Sequence, residues 1–395
     1  MTRYHLTSPK EGNLNEDDTR GPSSAISERH CVLHVSKRGR SLPCDGNMSA
    51  FRFAVILLFW TCYVVTIVLN ALSNSGFRHR EHNQRRHSER YGGIEVLQRH
   101  LVACYQQHFL EAYFVAAESG IDSSGDSTQR VIHQRKPFQK SPSEVSNKYR
   151  TWLTPAGWTF TIWGVIYVWL GLILVYVLSL LWRKNGPVRM FETSPIADPL
   201  PLLFLCLNLI LNFTWLFLWS QEWLLTSAIV LLLITSSGWI ALGAFYISAQ
   251  EVGRDLREEG KWDLAFIRYI VFNGLETYNA WTSIAFLVNL SIVMTHVFGK
   301  SLEASANIPL SLLVVVLALW VPFEATAFDE YGRYGFMQYF VLTFALIGIY
   351  SGDNERPLGV TMYIVIIMTL SAVLAVGRIA FIKTRNRSHP QYAQL

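Results

Sequence analysis

The sequence predicts an all-α, polytopic membrane bundle of about eight transmembrane helices. Three observations lead there. The chain is 51% hydrophobic and only 16% charged over 395 residues, with a mean hydropathy of +0.23, outside the range of ordinary soluble domains. Eight apolar runs follow one another, most of them long enough to cross a hydrocarbon core about 30 Å thick. Lys and Arg gather in alternate connecting loops, as in a chain that crosses a bilayer repeatedly.

Residues 1–52 are polar, mixed in charge and broken by Pro and Gly, so a disordered cytosolic tail is expected. The first apolar run, 53–72, begins too late and is too long for a cleavable signal peptide, and reads as a signal anchor. Residues 78–137 then break the pattern. They open with the basic, His-rich RHREHNQRRHSER and continue with a stretch able to form an amphipathic helix, with Ile94, Leu97, Leu101, Tyr105 and Phe109 toward one side. Removing them leaves a first loop of ordinary length, so they are an inserted loop or a wrongly predicted exon. His79, His82 and His87 do not converge on one helical face and have no partnering carboxylate or thiolate, so a solvated loop outweighs a metal site.

The remaining runs are 158–182, 200–219, 224–249, 266–297, 310–328, 335–350 and 358–382, the seventh being short; 384–395 form a second cytosolic tail. Arg183, Lys184 and Arg189, then Arg254, Arg257 and Lys261, then Arg333, then Lys383, Arg385 and Arg387 share the side of the two termini. The short loops opposite hold only Lys300 and Arg356, so both termini are expected in the cytosol, in an organelle left open. The net charge of +5 is thereby mainly a topology signal, and no basic stripe with interleaved aromatics points to nucleic acid. Cys31, Cys44, Cys62, Cys104 and Cys206 are scattered without a C-x-x-C pair, so neither a disulfide framework nor a thiolate metal site is expected.

Three spans carry aromatic, small and amide side chains on one face. Phe160, Trp163, Tyr167 and Gly171 recur at helical spacing in the second; Asn208, Asn212, Trp215 and Trp219 in the third; Gly274, Tyr278, Trp281, Ala285 and Asn289 in the fifth. Lipid has no use for an amide, so these faces should turn into the bundle. They either pack helix on helix or line a space for a flat, largely apolar ligand. Trp152, Trp158, Trp182, Trp219, Trp223 and Trp262 lie near span ends, where an interfacial aromatic belt accounts for them.

The stretch TPAGWTFTIWGVIYVWLG, with Trp163, Tyr167 and Gly171 in W-x-x-x-Y-x-x-x-G spacing, resembles the second helix of the translocator protein and tryptophan-rich sensory protein family (TspO/MBR). LNFTW is similar to its L-N-x-x-W third helix, and ETYNAWTSIAFLVN to its P-Y-x-x-W fifth, with Thr277 in place of Pro and Ala285 where some members carry a carboxylate. The resemblance implies a five-helix bundle over 53–298 and sets the three helices of 299–383 outside it. It implies a pocket open toward the loop between helices one and two, a porphyrin- or sterol-class ligand, and a homodimer. On that basis Phe160, Trp163, Tyr167, Asn212, Trp215, Tyr278, Trp281 and Ala285 are the candidate ligand-binding residues.

Glu276 and Glu324 are the carboxylates most clearly inside spans, where an unpaired charge is costly; they are candidates for proton-linked transport, against a paired or partly hydrated structural role. Glu276 is placed about two turns from Arg268, and Glu324 beside the kink expected at Pro322. His296 has no evident partner. No G-x-S-x-G, H-E-x-x-H or G-x-x-x-x-G-K-[ST] is present, so no enzyme and no cofactor are expected. The sequence therefore favours a membrane protein that binds or transports a planar hydrophobic molecule. A proton-coupled solute transporter, or a structural protein without ligand, is the alternative.

Overall fold

The computed structural model describes residues 46–84, 140–185, 188–252, 261–326, 328–352 and 355–388. The N-terminal tail, the inserted amphipathic stretch and Cys31, Cys44 and Cys104 lie outside the described residues, as do the side chains of His79, His82 and His87. From Asn47 onward the chain forms one unit, built among the described residues around eight long helices: α1 Gly46–Gln84, α2 Ile162–Ser179, α3 Pro199–Ser220, α4 Leu224–Val252, α5 Phe272–His296, α6 Leu302–Ala325, α7 Met337–Tyr350 and α8 Leu358–Ser388. One two-residue ladder, β1 Lys184–Asn185 antiparallel to β2 Val188–Arg189, folds the loop between α2 and α3. α1 extends past the expected end of its span, through the first residues assigned to the insertion.

Among the described residues, six of these eight helices are long and apolar enough to cross a membrane, α5 and α7 being the exceptions. α7 has only 14 residues. α5 fails on composition, because it carries Asn273, Glu276, Thr277, Asn279, Thr282 and Asn289, all buried. Its position explains this. α5 packs against α2, α4, α6 and α7, so it meets protein on nearly every side, and polar groups find partners that lipid does not offer. The lipid-facing surface lies on the outer helices, where Leu57, Val165, Val316, Leu319, Ile366 and Val373 are exposed. A soluble protein rarely exposes a continuous apolar band of this kind, and a bilayer requires one.

The helix ends follow local chemistry. Asp198 caps α3, accepting from Leu200 N at 3.3 Å, with Pro199 at the first helical position, where its missing N–H costs nothing. Ser301 caps α6, accepting from Ala304 N at 3.2 Å, so the helix starts eight residues before the expected 310 and runs through Pro309 and Pro322. The second span begins as a 3₁₀ turn, Gly157–Thr161, that leads into α2. The fifth opens with a π-turn, Ile267–Val271, where the wider winding frees a carbonyl. Trp169 of α2 takes it, donating Nε1–H to Ile270 O at 2.8 Å. Gly274 makes room for that indole, since a Cβ there would lie 2.5 Å from Trp169 Cδ1.

Candidate functional site

The aromatic faces of α2, α3 and α5 meet. Trp163 stands at the centre, its ring stacked on Tyr167 at 5.8 Å and on Trp215 at 5.7 Å. It meets Trp281 edge-on at 6.1 Å and Tyr278 at 6.5 Å. Phe160 lies edge-on to Trp281 at 6.4 Å, and Trp215 stacks on Trp219 at 6.1 Å. Such pairs are each worth ~0.5–1.5 kcal/mol beyond area burial, so the rings already satisfy much of one another's packing.

The cavity between them is about 30 Å³. A space of that size holds a water or two, not a tetrapyrrole or sterol. Of the candidate ligand-binding residues, Phe160, Trp163, Trp215, Trp281 and Ala285 line it. Tyr167, Asn212 and Tyr278 do not. Tyr167 donates its hydroxyl to Asn212 Oδ1 at 3.2 Å and stands behind Trp163. Gly274 does not open room beside Trp281 either, because Trp169 fills it. Asn208, on the same face as Asn212, turns to α4 and donates to Ile234 O at 2.6 Å and Ser237 Oγ at 3.0 Å.

Trp219 corrects the interfacial reading: it is buried, lines the cavity, and donates its indole N–H to Pro142 O at 3.1 Å. Trp158, Trp182, Trp223 and Trp262 are exposed, as an interfacial position requires. Asn289, Val288 and Ile292 of α5 complete one wall, and Ala345 and Ile349 of α7 another. The contribution of α7 was the least legible from sequence. Its clue is Gly348, where a Cβ would lie 2.2 Å from Thr159 Oγ1.

One end of the cavity is covered by residues 140–156, which contribute Ser146 and Pro155 to its lining. The helix Pro142–Lys148 in this segment begins with a capping box: Ser141 Oγ accepts from Glu144 N, and Glu144 Oε2 accepts from Ser141 N at 2.7 Å. Glu222, in the turn between α3 and α4, accepts from Lys140, Lys148 and Tyr149. Burial alone would raise its pKa, but these hydrogen bonds hold its carboxyl down at about 2. Glu222 also sits at φ 63°, a left-handed conformation that disfavours a side chain. Further along, Ala156 N donates to Gly348 O at 2.8 Å, Ser291 Oγ to Thr151 Oγ1 at 3.1 Å, and the His296 ring meets Arg150 O at 3.2 Å. His296 therefore has a partner after all.

Glu276 and Glu324 lie in a second polar group at the other end of α5. Glu276 accepts from Tyr246 Oη at 2.6 Å and from Met337 N at 3.1 Å. The Arg268 guanidinium, about two turns earlier, lies over the Tyr334 ring at 4.6 Å. Glu324 accepts from Gln338 Nε2 at 2.7 Å and from Tyr339 Oη, and Arg378 stands 3.3 Å from its Oε1. Glu324, beside Pro322, is thus buried and hydrogen-bonded. Among the described residues no group of three His, Cys, Asp or Glu side chains is placed to hold a metal ion.

An aromatic cluster enclosed by polytopic helices with an outward apolar band defines an integral, multi-pass membrane protein. A family model described as TSPO-like protein matches residues 130–377, more than half of the sequence, and the chain belongs to that family. The match takes in α2 to α7 and most of α8, so it includes the C-terminal helices that the motif resemblance left outside, and it begins after α1. Comparisons with curated proteins and with solved structures return no match.

Proposed function

We propose that this protein binds or carries a planar hydrophobic molecule of the tetrapyrrole or sterol class, received among α2, α3 and α5. The observation that carries this reading is a set of buried polar atoms beside the cavity. Among the described residues, the indole N–H groups of Trp215 and Trp281, on side chains 3% and 4% exposed, have no hydrogen-bond partner, and neither does Asn289 Oδ1. An unpaired buried donor costs ~1–3 kcal/mol, so native interiors seldom keep several around one space. A flat ligand with oxygens at its edge would accept from both indoles while its faces stack on the rings.

The described conformation is closed. A ligand of that class needs a pocket of ~300 Å³ or more, so binding requires Trp163 or its neighbours to turn and residues 140–156 to lift. Binding, rather than catalysis, fits this site, because no nucleophile–base pair lines it. Titrating protoporphyrin into the purified protein, with tryptophan fluorescence as readout, should give saturable quenching. Mass spectrometry of co-purifying small molecules should identify a planar hydrophobic compound. Linear, non-saturable quenching with no such compound would sink the proposal.

Proton-coupled solute transport is the second reading. It is favoured by the buried polar residues that run along α5 from Asn273 to Ser291. It would show as uptake that depends on pH and is abolished by Glu324→Gln but not by Trp281→Phe.

A further inference from the structure

Two buried carboxylates and one buried guanidinium lie together where α4, α6 and α8 end and α5 and α7 begin. Glu276, Glu324 and Arg378 are 2%, 3% and 6% exposed. Arg378 faces Glu324 through Nη2, which also donates to Gly332 O at 3.0 Å and Arg333 O at 3.4 Å, while its Nε–H donates to Gly335 O at 3.1 Å. Glu276 accepts two hydrogen bonds from uncharged donors and, among the described residues, touches no cation. Gly335 is shaped to it, since a Cβ there would lie 1.7 Å from Glu276 Oε1.

The surrounding charges are engaged elsewhere. Arg333 pairs with Asp329 at 2.8 Å, Arg385 stands 3.6 Å from the same carboxylate, and Arg268 covers the Tyr334 ring. From α4 only the Tyr246 phenol faces Glu276, and from α7 the neutral Gln338 and Tyr339 face Glu324. With both acids ionised, the enclosed trio carries one uncompensated negative charge. A lone charge in such surroundings is strongly disfavoured, and guanidinium cannot change its own state.

We propose that Glu276 is a proton-binding site, neutral at physiological pH, while Glu324 stays ionised against Arg378. Assignment to Glu276 follows from the contacts: the charge of Arg378 and hydrogen bonds from Gln338 and Tyr339 hold the anion of Glu324, whereas Glu276 touches no cation among the described residues. When the proton arrives on Oε1, the Tyr246 hydroxyl turns from donor to acceptor, and Met337 N–H remains on Oε2. The opposing view is that an ionised Glu276 merely caps the start of α7. This proposal stands without the ligand reading and without transport.

The test is pH-difference infrared spectroscopy on the full-length protein in lipid nanodiscs, following the C=O stretch of a protonated carboxylic acid. One such group is expected at neutral pH. It should vanish in Glu276→Gln. It should also vanish at neutral pH in Glu324→Gln, because Arg378 then balances Glu276 alone, a result that a structural cap would not produce. Tyr246→Phe keeps the charges but removes a donor to the anion, so the band should persist to higher pH; this variant serves if the Gln variants do not fold. A wild-type protein without the band, a band unchanged by Glu276→Gln, or one that disappears when sodium replaces choline at fixed pH would overturn the proposal.

Discussion

Single side chains decide the two polar and aromatic sites. Trp281 meets Phe160 and Trp163 edge-on, and its N–H is unpaired, so it should be the most sensitive position for ligand. Trp281→Ala should weaken porphyrin binding tenfold or more, a loss of ~1.4 kcal/mol, in a fluorescence titration. Trp182→Ala, at a side chain 75% exposed, should leave the affinity unchanged. Gly335 makes a second case. Even the smallest side chain there would collide with the Glu276 carboxylate, so Gly335→Ala should cost about 1–3 kcal/mol and lower the thermal midpoint in detergent, with Gly359→Ala, where a Cβ meets nothing, as the neutral control. The motif spacing made Phe160, Trp163, Trp215, Trp281 and Ala285 legible as one lining. It could not show that Tyr167 and Asn212 bond to each other behind it, because spacing gives a face and not a rotamer.

Among the elements, the segment 140–156 is the one most exposed to experiment. Its hold on the turn between α3 and α4 passes through Glu222, whose carboxyl is depressed in the folded state. A depressed acid contributes stability that is complete above its unfolded pKa, about 4.3, and is lost as pH falls toward the folded value. Ligand association should therefore be independent of pH from neutrality to about 5 and should accelerate below it, as stopped-flow quenching would reveal. Glu222→Gln should give the fast rate already at neutral pH. The covering helix was not foreseen, because seven residues leave little periodicity, although Ser141 and Glu144 spell its capping box. The π-turn before α5 was equally hidden. It depends on Trp169 arriving from another helix, a contact between residues far apart in sequence.

At the scale of the molecule, the order of spans was legible because lipid imposes long apolar runs, whereas the burial of α5 among its neighbours was legible only in its amides. The positive loops predict both termini in the cytosol, and glycosylation acceptors will test it. Acceptors placed after His296 should be modified and those placed at Arg254 should not; the opposite result would invert the topology. Among the described helices, α7 is the one too short for a full crossing. Its 14 residues rise ~21 Å, against a hydrocarbon core of ~30 Å, yet Phe340, Ile347 and Tyr350 are exposed on its outer side. Lipid touching that strip faces a hydrophobic mismatch, and the bilayer must thin locally or admit headgroups there. The start of α7 is held by Asn273 and Glu276 of α5, so the depth of this depression is set from within the protein. Membranes of shorter acyl chains would meet it with less deformation.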